Sequence, residues 1–196
     1  MAEIILASTS TSRKKILESL RLEFQALTPS FEEHPLPRIP PERIAIINGE
    51  GKALSVVDRV PAGAFIIGSD QVASNHEGQI FHKSVSLTSA RAQLAAISGE
   101  WLHFTTSLII VRDGETLFRH LERFSVRFRT LSKAAIDAYV MAEQPIGCAG
   151  SFMAEAAGWR LIQDTQGSDV RALYGLPVLA LFDFLDSQNV ELPYVC

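Results

Sequence analysis

The hydrophobic positions change period several times along this chain, and each change marks an element. Residues 3–7 form a short apolar run, a buried strand, and from Arg13 to Leu22 the apolar Ile16, Leu17 and Leu20 recur at helical spacing with charges between them. The pattern predicts strand, turn, helix. The proline-rich "HPLPRIPPER" at 34–43 is a loop whose end opens a second helix, Pro41 to about Val57, because proline is tolerated in a first helical turn. "AFIIGSDQVAS" reads as a buried strand; with "NHEG" as turn and "QIFHK" returning, it predicts a hairpin over 64–83. Thr88 or Ser89 caps a helix that ends before Gly99.

"HFTTSLIIVRDGETLF" predicts another hairpin with Asp113-Gly114 in its tight turn, and "FSVRFR" alternates as a half-buried strand does. Ser132 caps a helix with Ile136, Tyr139 and Val140 on one face. A strand near 158–163, a Gly/Ser/Asp loop at 167–169 and an apolar helix from about Pro177 to Ser187 close the chain. Strands joined by short hairpins and mixed with helices predict an α/β fold with a mixed sheet, as one domain over 1–196. There is no internal repeat.

Composition narrows the function. The 196 residues are 47% hydrophobic and 20% charged, an ordinary globular balance. A net charge of −4 argues against non-specific nucleic-acid binding, which needs a basic face, so any anion site must be local. Cys148 and Cys196 cannot build a disulfide framework and fit a reducing compartment. "MAEIILAS" has no basic lead and reads as a first strand, not a signal peptide. The apolar stretch Leu176 to Leu185 is interrupted by Asp183 and is shorter than the roughly 18 residues of a membrane span. The expectation is a cytoplasmic protein.

Four places could carry chemistry. In "LASTSTSRKKIL" the hydroxyls of Ser8, Thr9, Ser10, Thr11 and Ser12 and the free N–H groups of a helix start could hold an oxyanion, while Arg13, Lys14 and Lys15 oppose the helix dipole there. The plainer reading is a serine that only caps the helix. "GEGKALS" at 49–55 is not a P-loop, since Ile46 and Ala53 stand where glycine and a hydroxyl residue are required; alone, Lys52 reads as a solvated helical lysine. Ser69, Asp70 and Gln71 interrupt an apolar strand, and a buried carboxylate must be paired, hydrogen-bonded or metal-bound, with Lys83 across the hairpin as its partner. Asp70 is then a structural ion pair, a general base or a metal ligand. Glu32 and Glu33 read as solvent-facing, although Glu33 with Asp70 could serve a hard cation such as Mg²⁺. The five histidines and two cysteines lack zinc-ligand spacing.

Taken together, "ILASTSTSRKKIL", "IIGSDQVAS…GQIFHK", "CAGSFMAE" and "GLPV" resemble the Maf family of nucleoside triphosphate pyrophosphatases along nearly the whole chain. Gln71 and the Glu155 that follows "CAGSF" look like its 7-methyl-GTP branch. The resemblance implies an elongated mixed sheet with flanking helices and two lobes around a central cleft, usually as a homodimer. It implies Asp70 as the catalytic acid/base position and Ser10, Arg13, Lys52 and Lys83 around the phosphates. It further implies Glu33 with Asp70 near Mg²⁺ or Mn²⁺, and Ser12, Gln71 and Glu155 at base selection. The chain departs from the family pattern at Thr11, Ser12, Lys14 and Arg171, where proline, often an aromatic residue, arginine and asparagine are usual. The alternatives are a pyrophosphatase preferring dTTP or UTP, a phosphatase releasing orthophosphate, and a nucleotide-binding regulator of cell division with little hydrolysis.

Overall fold

The computed structural model describes residues 3–33 and 39–190. Their strands are β1 (Ile4–Ala7), β2 (Gln25–Leu27), β3 (Phe65–Gly68), β4 (Gln71–Ser74), β5 (Trp101–Arg112), β6 (Glu115–Phe128) and β7 (Ile162–Gln166). The helices are α1 (Thr11–Ser19), α2 (Pro41–Leu54), α3 (Leu87–Ala96), α4 (Lys133–Glu143), α5 (Val170–Leu173) and α6 (Val178–Ser187). The sheet runs β2-β1-β3-β5-β6-β7, with β4 also on β5. β1 pairs in parallel with β2 and β3, and the other pairings are antiparallel, which makes the sheet mixed as the sequence predicts.

Alternation along the central strands sorts the core into faces. Ile4 and Leu6 of β1, Phe65 and Ile67 of β3 and Leu108 and Ile110 of β5 pack with Ile16 and Leu17 of α1 and Leu181 and Phe184 of α6. Ile5, Ala7, Ile66, Ile109 and Val111 point the other way, onto Ala53 and Val56 at the end of α2. Buried on both faces, these strands read as unbroken apolar runs. A third cluster joins the other half of β5 and β6 to α3 and α4 through Leu94, Leu102, Phe128, Val140 and Phe152. β5 thus runs through both packed regions, and its middle is where a cleft can form.

That middle has a local device. β3 and β4 lie end to end along β5, pairing with residues 109–111 and 103–106, so the chain breaks its ladder at Ser69 and Asp70. Ser107 of β5 spans the break: its N–H donates to the Asp70 carbonyl at 2.9 Å, and its Oγ accepts the Asp70 N–H at 3.0 Å. The same Oγ donates to the Ala45 carbonyl of α2 at 2.7 Å. Helix α2 comes unusually close because it crosses on glycine: a Cβ on Gly49 would stand 2.4 Å from Ser107 Oγ, and one on Gly68 would stand 2.1 Å from the Gly49 carbonyl oxygen.

Several boundaries differ from the sequence expectation for physical reasons. The predicted 64–83 hairpin does turn back after Ser74, with the Asn75 N–H on the Gln79 carbonyl at 3.0 Å and the Phe81 N–H on the Ala73 carbonyl at 2.8 Å, but its first arm is two short strands on β5, because the break at Asp70 re-aims the chain. "FSVRFR" is not a separate strand but the end of the 14-residue β6, whose turn from β5 has positive φ at both Asp113 and Gly114 as a type I′ turn requires. Helix α1 starts earlier, at Thr11, and ends earlier, at Ser19; α2 stops at Leu54, followed by a 3₁₀ turn at Val57–Arg59. Ser86, not Thr88 or Ser89, caps α3, with Ser89 completing a reciprocal capping box. Ser132 caps α4 as expected. The strand expected near 158–163 is a 3₁₀ turn over Ala157–Leu161 leading into β7. Positions 34–38 of the proline-rich loop and Cys196 lie outside the described residues.

Candidate active site

The turn after β1 begins the site. Ser10 caps α1, its side chain accepting from the Arg13 N–H at 3.4 Å, while Ser8 Oγ accepts from the Ser10 N–H at 3.1 Å and from Arg13 Nη1 at 3.4 Å. Of the three cations at the helix start only Arg13 turns inward. It is buried, and its Nε donates to the Gly175 carbonyl at 2.7 Å, a carbonyl that also accepts from Ser69 Oγ at 2.9 Å. Lys15 is exposed and Lys14 half-buried. Burial pushes the Arg13 guanidinium below its ordinary value, opposed by the charges of Asp70 and Glu33.

Asp70 sits at the strand break, 8% exposed. Its partner is not Lys83, as a hairpin would have placed it, but Lys52: Nζ lies 2.6 Å from Oδ1. Lys52 is correspondingly no solvated helical lysine but 8% exposed, delivered from the helix that crosses on Gly49. Asn48, one turn earlier on α2, donates to Oδ2 at 2.9 Å. The same ammonium reaches Glu33 Oε1 at 2.5 Å, so one cation lies between the two carboxylates. Burial pushes the Glu33 carboxyl up, but the bond from Lys52 and the charges of Lys52, Lys83 and Arg13 together leave it below its ordinary value.

These groups open onto a cleft of about 200 Å³. Ser10, Ser12, Arg13, Lys52, Asp70 and Gln71 come to its wall from the first region, and Lys83, Phe104, Cys148, Phe152 and Glu155 from the second. Ser8 and Glu33 are not on the wall: Ser8 is buried behind it, and Glu33 touches the site through Lys52. Lys83 is exposed and tied by a backbone bridge to Ala149. Burial and the charge of Glu155 push the Cys148 thiol up, against the pull of Lys83.

Another part of the wall sets polar groups beside aromatic rings. Gln71 Nε2 donates to Thr106 Oγ1 and to the carbonyls of Ala172 and Leu173 at 2.8–3.1 Å, which leaves Oε1 as the group on offer. Ser12 Oγ donates to Glu155 Oε1 at 2.6 Å, and Phe104, Phe152 and Tyr174 add aromatic surface. His103 and His120 lie elsewhere, bonded to Ser125 and Glu122. Arg171, where the family pattern has asparagine, reaches Ser19 from the short helix α5.

A family model described as "Maf-like protein" matches residues 3–188. The chain belongs to the Maf family. Among curated Maf relatives, a "7-methyl-GTP pyrophosphatase" of Hydrogenovibrio crunogenus is 38% identical, covering 100% of this chain and 97% of the relative. A protein of the same name from Nitrosococcus oceani is 40% identical over 93% of this chain and 92% of its own. A "Nucleoside triphosphate pyrophosphatase" of Acinetobacter baylyi is 37% identical over 98% of both chains.

The described residues contain no group of three or more His, Cys, Asp or Glu that could cage a metal. Glu33 and Asp70 are two hard carboxylates, the donor type Mg²⁺ takes together with phosphate and water, and in this structure the Lys52 ammonium stands between them.

Sequence reasoning did not reach Asn48, Ser107 or the aromatic wall. Asn48 left a faint trace: Ile44, Asn48 and Lys52 repeat at four-residue spacing beside Ala45, Gly49 and Ala53, a buried face on which an amide is out of place.

Proposed function

We propose that this Maf protein hydrolyses the α–β phosphoanhydride of a nucleoside triphosphate, with 7-methyl-GTP as preferred substrate, giving the monophosphate and pyrophosphate and clearing modified nucleotides. The observation that carries this reading is one cleft that gathers Arg13, Lys52 and Lys83 around a buried carboxylate and also presents acceptors beside aromatic rings. Triphosphate charge repels an attacking water, and the three cations and the Ser10 helix start offset it. Asp70 takes the proton from that water. Ser8 supports this machinery by holding Ser10 and Arg13.

Mg²⁺ or Mn²⁺ would be held by Glu33 and Asp70 with the substrate's phosphates, where it supplies further charge neutralisation. For the base, Gln71 Oε1 and the Glu155 carboxylate match a guanine edge, whose ring N–H and amino group are both donors, and a methylated cationic purine gains further from the negative charge. Uracil and thymine offer a single N–H between two acceptors. Ser12 orients Glu155. The family resemblance adds a homodimer, and the low cysteine count adds a reducing, cytoplasmic setting; no helix of the described residues is long and apolar enough to cross a membrane.

The test is a product assay on 7-methyl-GTP, GTP, dTTP and UTP with Mg²⁺ or Mn²⁺, scoring pyrophosphate apart from orthophosphate, with Asp70→Asn alongside. The expected result is pyrophosphate release concentrated on 7-methyl-GTP and lowered about 10²-fold or more in the variant, in line with loss of a general base. Full turnover by folded Asp70→Asn would remove Asp70 from the chemistry. A preference for dTTP or UTP would refute the base assignment alone, and tight binding without release of either product would favour the regulator.

A further inference from the structure

Helix α2 grips the Asp70 carboxylate twice. Asn48 and Lys52 stand four residues apart, hence on one helix face, and each takes one oxygen: Lys52 Nζ at 2.6 Å from Oδ1 and Asn48 Nδ2 at 2.9 Å from Oδ2. Asn48 is only 5% exposed, and its own Oδ1 has no hydrogen-bond partner among the described residues. Turning the amide over would set an acceptor against the carboxylate and leave the NH₂ unpartnered, so Asp70 dictates its orientation.

This is a poor bargain for stability alone. A buried acceptor without a partner is destabilising, and Ile44, one turn back on the same face, packs with Ala45 and Val72 in a small apolar cluster. Leucine, close to asparagine in shape, would suit such surroundings better by packing. A residue that breaks a local rule beside a reactive group points to function.

We infer that Asn48 is a positioning residue, which aims the Asp70 carboxylate by fixing Oδ2 while Lys52 fixes Oδ1. The inference rests on the role proposed above for Asp70. With both oxygens held, the carboxylate cannot turn about its terminal torsion, and one lone pair stays directed at the attacking water. Asn48 itself is not on the cleft wall, so it acts through Asp70 and not on substrate. Its loss leaves binding intact and slows the step that depends on alignment.

The experiment compares wild type, Asn48→Leu and Asp70→Asn by steady-state pyrophosphate release, thermal unfolding and ¹H–¹⁵N spectra of side-chain amides. The expected result for Asn48→Leu is a kcat lowered about tenfold or more, as misplacement of a catalytic group can cause, with KM within about twofold and a protein still folded at the assay temperature, at a Tm below wild type because Asp70 Oδ2 loses its donor. The Asn48 NH₂ resonances of the otherwise intact protein should move in Asp70→Asn. An unchanged kcat in folded Asn48→Leu would overturn the inference, and so would a KM raised in step with the fall in kcat, which would place Asn48 in binding and not in alignment. Amide resonances unmoved by Asp70→Asn would overturn it whether or not the leucine variant folds. Undiminished turnover by Asp70→Asn would fell the role of Asp70 and this inference with it, whereas loss of turnover there with full activity in Asn48→Leu would fell this inference alone.

Discussion

Lys52→Met tests how much the buried ion pair contributes. The substitution keeps most of the apolar stem but removes the ammonium from between Asp70 Oδ1 at 2.6 Å and Glu33 Oε1 at 2.5 Å. At an effective dielectric constant of about 20 the buried Asp70 contact corresponds to about 6 kcal/mol of gross Coulomb attraction. Desolvation of both ions offsets much of that, and removing one partner of a buried pair typically costs about 3–5 kcal/mol because the other charge is stranded. The Glu33 side chain is 48% exposed, so water screens its share and it adds little. Asp70 keeps the bond from Asn48, which places the expected loss near about 3 kcal/mol, the lower end of that range. Urea unfolding of wild type, Lys52→Met, Asp70→Asn and the double variant gives the coupling. The double variant, with no stranded charge, should recover about 2–3 kcal/mol relative to the sum of the single changes. Additivity to within about 0.5 kcal/mol would refute the reasoning, since it would mean the contact carries no net interaction.

Two further outcomes follow from residues away from the cleft. Asp169 is buried and accepts backbone N–H bonds from Arg171 at 2.8 Å, Val178 at 2.5 Å and Leu179 at 2.9 Å, so Asp169→Ala should uncap α5 and α6 together and cost about 1–4 kcal/mol in chemical denaturation, two caps at the usual range; a loss under about 0.5 kcal/mol would count against the double cap. Burial, with Arg123 and His76 adding, holds the His103 imidazole below its ordinary value. The unfolded chain then binds the proton first as pH falls, so stability should decline as pH drops through the ordinary histidine range and level off below the folded value. Asn in place of His103 should flatten that part of the pH–stability curve, and an unaltered curve would show that other groups produce it.

Much of the fold was legible because the signals are local. β1, the α4 cap at Ser132, the Asp113-Gly114 turn and the apolar α6 are each set by a few adjacent residues, through alternation, a hydroxyl that accepts an N–H, or tolerance of positive φ. The hairpin over 64–83 was misread because its strand is interrupted by a long-range event, the insertion of Ser69 and Asp70 between two segments that both pair with β5. In the site, Asp70 was visible as a charge inside an apolar strand. Lys52 was reached only through the family resemblance, since nothing within its own helix says that Gly49 and Gly68 let that helix approach the sheet closely enough to bury a lysine.

By itself, then, the sequence determined the mixed α/β class, the serine-capped helix start after β1, and the demand that Asp70 find a partner, because each follows from residue chemistry and short-range spacing. Only the tertiary structure decided which cation meets Asp70, that Asn48 holds its second oxygen, that Ser12 is bonded to Glu155, and that Gln71 offers its carbonyl and not its amino group. Those contacts join residues tens of positions apart. Their geometry comes from how closely helix α2 packs on the sheet and from the pairing of β3 and β4 along β5.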